Sequence, residues 1–156
     1  MEAACRTFLW SIPVLCLSIC QAAMAQTAPF TPGQIWTYHG AAPASSRVIV
    51  GAVDTFAGKG QPIVSISVTD VPIPTNEKEM QTVAHLPVAA DALRASVVEL
   101  EGTGSVPDGF ESGYRQWRQA YDSGKAGYFT ISVEGIVRIL RTQFDQRTTG
   151  QQPEMK

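Results

Sequence analysis

Between positions 64 and 69 apolar and hydroxyl side chains alternate: Val64, Ile66 and Val68 fall on one side of an extended chain, Ser65, Ser67 and Thr69 on the other. A period of two is the mark of a strand with one apolar face. The preceding run from Val48 to Val53 predicts its partner. Between the two, Gly58 to Pro62 supplies residues that accept positive φ and a proline that cannot continue a ladder, which is hairpin chemistry. Gly51, inside the first strand, predicts a bulge or a close backbone approach. A lone hairpin does not hold in water, so later helices are expected to cover its apolar face.

Upstream, Pro32 to Tyr38 reads as a turn feeding a strand in which Trp36 and Tyr38 share one side. Downstream, Val71 to Lys78 carries two prolines and reads as a loop, and Met80 to Leu86 reads as a further short strand. From Pro87 the period changes. Leu93, Val97 and Leu100 recur at helical spacing and predict a helix closed by Gly102. The strongest pattern in the chain is Phe110, Tyr114, Trp117 and Tyr121, a narrow aromatic stripe on a helix closed by Gly124. Glu111, Arg115, Arg118, Gln119 and Asp122 occupy its other side, with Glu111 and Arg115, and Arg118 and Asp122, spaced to pair. Tyr128 to Ile131 predicts a last strand, after which Ser132 caps a helix whose Val133, Val137, Leu140 and Phe144 share a face. Strands followed by helix, helix, strand, helix predict an α+β fold: a small bent antiparallel sheet or half-barrel, covered on one face by about three helices. In that reading Trp36 and Tyr38 pack against the aromatic stripe.

The N-terminus has a different texture. Arg6, an apolar run from Phe8 to Cys20, and small residues at Ala23 and Ala25 form the charge, apolar segment and cleavage site of a secretory signal peptide. The run is broken by Ser11, Pro13 and Ser18 and falls short of the roughly 20 residues of a spanning helix. The expected product is exported, periplasmic or secreted, with no stable membrane anchor after cleavage at residues 1–25. Removing 25 of 156 residues leaves 131, the size of one domain, read as 26–147 with a flexible polar tail at 148–156. The signal contains one acidic and one basic residue, so the formal net charge of -2 is unchanged by its loss. Such a balance does not recruit nucleic acid. All 3 cysteines lie in the signal, so the exported chain has no disulfide, thiolate nucleophile or cysteine-bound metal.

Candidate chemistry is sparse. The 2 histidines, His39 and His85, lie on separate segments without metal-ligand spacing, so neither a metal nor another cofactor is expected. No serine stands in a nucleophile-elbow or S-x-x-K context. The catalytic alternative is therefore a small hydrolase using His85 with a nearby carboxylate. Gly102 to Gly104 and the Gly124 to Gly127 turn lack the further features of phosphate loops, although Lys125 between two glycines offers backbone amides to an anion. The stretches Pro32 to Tyr38, Val64 to Val68, His85 to Pro87, Ser96 to Val97, Tyr114 to Arg118 and Gly124 to Ile131 resemble a set of short uncharacterised bacterial proteins. That resemblance implies a bacterial source and a single domain, and it transfers no catalytic residue. The function expected from the residues is non-enzymatic binding of a protein or small-molecule partner, with Trp36, Tyr38, Arg115 and Arg118 as the candidate surface. A cell-wall or carbohydrate binder would instead present Trp36, Tyr38 or Trp117 as an exposed platform.

Overall fold

A computed structural model describes residues 29–58, 60–73 and 80–149; the expected signal peptide, most of the proline-bearing loop and residues 150–156 of the tail lie outside them. The described residues form β1 (Gln34–Tyr38), β2 (Val48–Asp54), β3 (Ile63–Val71), β4 (Gln81–Ala89), α1 (Ala90–Ser96), β5 (Val97–Thr103), α2 (Phe110–Asp122) and α3 (Val133–Thr149). The strands make one open antiparallel sheet in the order β4-β3-β2-β1-β5, so the fold is α+β. Helix α3 runs past the expected domain boundary at 147.

The alternation in β3 is realised as expected. Val64, Ile66 and Val68 are fully buried and face a core with Trp36, Tyr38, Val48, Val50, Leu86 and Val88 from the other strands. Leu93 of α1 and Val133, Ile136 and Val137 of α3 close that core. Gly51 fulfils both readings at once. The β2–β3 register slips between Val50 and Ala52, and a Cβ at Gly51 would run into the Phe110 ring.

The helix expected from Pro87 to Gly102 is instead three elements. Pro87 lies in β4, at the edge of the sheet, where a missing amide hydrogen leaves no ladder bond broken. Only Ala90–Ser96 is helical, and β5 follows directly, its β-branched Val97 and Val98 favouring extended chain. The helical spacing of Leu93 and Val97 was genuine, since both are buried, but Leu100 is 38% exposed on β5. The strand expected at 128–131 reduces to a single parallel bridge. Phe129 donates its amide to the Pro87 carbonyl and accepts from the Ala89 amide, both at 2.8 Å.

Helix α1 also reveals the curl of the sheet. It links β4 to β5, the two outer strands, yet seven helical residues rise only about 10.5 Å. Four flat inter-strand gaps would span about 19 Å. The sheet must therefore bend so that its edges approach, and α1 spans the concave side as a chord. Its first amides are held by the hairpin loop: Ala90 donates to the Pro62 carbonyl at 3.0 Å and Asp91 to Gln61 Oε1 at 2.8 Å. Ser96 ties the far end, accepting from the Val133 amide at 3.0 Å and donating to the Ala92 carbonyl at 2.7 Å. Ser132 caps α3 as expected, its hydroxyl accepting the Gly135 amide.

Coverage is two-sided, a correction to the one-faced sheet. The segment after β5 passes over the second face, with Gly104 against Ile35 and Gly109 against Ala84, and delivers α2 onto β4 there. Trp36 and Tyr38 thus lie on the opposite face from the aromatic stripe, and Trp36 packs edge-on to Phe30.

Candidate functional site

On the second face the inner residues of β2, β3 and β4 meet the aromatic stripe of α2. Rotation by about 100° per residue puts Phe110, Tyr114, Trp117 and Tyr121 along one side of the helix, and their rings form a continuous row. Trp117, 8% exposed, donates its indole N–H to the Gly127 carbonyl at 2.8 Å. His85 projects from β4 into this row, with ring centroids 5.6 Å from Phe110, 6.0 Å from Tyr114 and 5.7 Å from Trp117. Gly113 lets the helix approach so closely: a Cβ there would stand 2.8 Å from that of His85.

His85 Nε2 lies 3.1 Å from Ser65 Oγ. That is a hydrogen-bonded imidazole and hydroxyl, a base beside a nucleophile, where the hydrolase alternative expected a carboxylate beside His85. Ser65, however, has no exposed surface. Burial holds the His85 pKa below its ordinary value, and the Asp54 charge opposes this without overcoming it. A largely apolar cleft of about 440 Å³ between β4 and α3, lined by Ile73, Val83, Leu86, Leu140 and Phe144, reaches the edge of the imidazole. Ser65 is not among its lining residues.

Beside this pair a second cluster ties α2 to the end of β2. Asp54 Oδ1 accepts from the Tyr114 hydroxyl at 2.9 Å and from Arg118 Nη1 at 2.6 Å. Asp54 Oδ2 is buried and has no hydrogen-bond partner among the described residues. Arg118 also donates through Nε to both oxygens of Asp122, as its spacing predicted, and lies over the Phe56 ring at 4.6 Å. Asp122 is the main cause of a raised Arg118 pKa. Burial, then the hydrogen bond to Asp54, pushes the Tyr114 hydroxyl up.

The sequence-derived surface therefore divides. Trp36 and Tyr38 are 1% and 5% exposed and sit in the main core, where no partner reaches them. With Trp117 also buried, none of the three forms the platform of a carbohydrate binder. Arg118 is drawn into internal pairing. Arg115 is exposed and, among the described residues, makes no ion pair with Glu111 or any other acid. It borders a shallow groove of about 570 Å³ with Tyr114, Gln119 and Ser123. The Lys125 turn offers no anion site in its amides, because Lys125 and Ala126 both donate to the Ala120 carbonyl to close α2. His39 is exposed, and its amide donates to the Ser96 carbonyl at 2.9 Å.

Ser65, Asp54 and Gly113 carry much of this geometry and were not picked out as a group by sequence reasoning. The available signal was the polar face of β3, whose Ser65 and Ser67 are both fully buried instead of solvated. No family model, curated protein or solved structure matches this chain.

Proposed function

We propose that this protein is an exported, non-catalytic binding module. The observation that carries the reading is the burial of the hydroxyl in the imidazole–hydroxyl pair found among the described residues: Ser65 has no exposure, and three rings of α2 pack on the His85 that stands before it. A nucleophile must reach its substrate at close range, and this one lies behind its own base. The partner surface is the outer side of α2, where Arg115 presents an uncommitted guanidinium to an acidic group. Export rests on the charge, apolar run and small-residue site of residues 1–25.

The test has three parts. The protein should be recovered outside the cytoplasm and begin at Gln26 by intact-mass analysis; recovery only from the cytoplasm argues against export, and a retained leader or a lipid on Cys20 argues against cleavage after Ala25. Native mass spectrometry of that material should show a bound partner that is lost from Arg115→Glu and kept by His85→Ala. The hydrolase is the second reading, favoured by the 3.1 Å Ser65–His85 contact. Turnover of an ester, amide or glycoside panel that disappears in folded His85→Ala would replace the binding reading with it.

A further inference from the structure

We propose that Ser65 and His85 form an acid-released latch for helix α2, holding the helix on the sheet only while the imidazole is neutral. The hydroxyl of Ser65 is fully buried, and His85 Nε2 is its partner among the described residues. A buried O–H needs an acceptor, so Nε2 must offer its lone pair and the neutral ring must carry its proton on Nδ1. Protonation places a hydrogen on Nε2. The serine must then turn to accept, and its own hydrogen is left with nothing to bond.

The ring is half-buried, with one edge on the cleft beside α3, and its faces are packed by α2. Phe110, Tyr114 and Trp117 have ring centroids within 6.0 Å of it, and a Cβ at Gly113 would stand 2.8 Å from that of His85. All four contacts come from α2, so a charged ring that turns from Ser65 toward water disturbs the packing that holds the helix. The charged and titratable groups on this side are few. From β2 comes Asp54, whose Oδ1 is already shared by Tyr114 and Arg118; from α2 come that Tyr114 hydroxyl and Arg118. β3 contributes the uncharged Ser65, β4 has no other titratable residue, and α3 contributes Leu140 and Phe144 to the neighbouring cleft. Asp54 favours the charged ring, but burial is the larger influence and the pKa lies below 6.5. A base with a lowered folded-state pKa contributes full stability above its unfolded value. The contribution is lost as pH falls through the lowered folded value.

Hydrogen exchange of the purified protein at about pH 7.5 and about pH 5, corrected for intrinsic rates, reads this directly. Protection of 110–122 relative to β2 and β3 should fall about three-fold or more in acid for the wild type. The fall should vanish in His85→Gln and shrink in Ser65→Ala, which has no hydroxyl to orphan. Unchanged α2 protection in wild type, or an equal fall in His85→Gln, overturns the proposal. Should His85→Gln not fold, an undiminished acid fall in Ser65→Ala overturns it equally.

Discussion

Replacing Trp117 by alanine tests whether α2 is docked through its aromatic row. The indole is 8% exposed and lies against His85, Tyr114 and Tyr121, the last at 5.3 Å between ring centroids. Emptying such a site costs about 3–5 kcal/mol, combining lost transfer energy with an incompletely collapsed cavity. The lost bond to the Gly127 carbonyl adds little, because Gly127 is exposed and water replaces the indole there. Domains are stable by about 5–15 kcal/mol, so the variant should be marginal but folded. At about 3–5 °C per kcal/mol for a chain of this size, Tm should drop by about 10–20 °C. Calorimetry alongside far-UV circular dichroism measures this. Trp117→Phe, which keeps most of the ring, should lose much less. A Tm within about 2 °C of wild type for Trp117→Ala would mean that the row does not hold the helix, and the site built on it would fall.

Two further substitutions probe the local devices. Gly51→Ala should cost about 1–3 kcal/mol by driving a methyl into the Phe110 ring. Combining it with Phe110→Leu should restore part of that loss in a double-mutant cycle; strictly additive losses would count against the contact. Ser96→Ala removes the acceptor of the Val133 amide and should cost about 1–2 kcal/mol in denaturant unfolding, whereas an unchanged midpoint would show that water caps α3 equally well.

The central hairpin, the bulge at Gly51, the aromatic helix and the Ser132 cap were legible because each rests on a local rule: alternation, a missing Cβ, a 3.6-residue period, a hydroxyl before an apolar run. β5 was not. Leu93, Val97 and Leu100 fit a helix by spacing, and only pairing with β1, far away in sequence, draws Val97 to Thr103 into a strand. Which face the aromatic stripe would cover was equally hidden. Alternation says that two faces of a strand differ, and it does not say that the polar one is solvated. Ser65 and Ser67 are buried because α2 and the segment before it cross over them, with Ser67 bonded to the Ala84 carbonyl at 2.6 Å. His85 could be named from the sequence. Its partners depended on that crossing.

The chord made by α1 has a kinetic consequence. β1 to β4 each pair with a neighbour close in the chain, but β5 must return to β1, joining Thr37 to Glu99 across 62 residues. Closing so long a loop unaided costs about 3–4 kcal/mol of chain entropy beyond a constant. Once the four-stranded meander has curled, however, the gap left to bridge is only the length of α1. β5 should therefore be the last strand to join, and substitutions in it should alter the unfolding rate more than the folding rate. The reverse pattern would show that β1–β5 pairing belongs to the nucleus. A seven-residue helix thus sets the order of assembly: the sheet must bend before it can be completed.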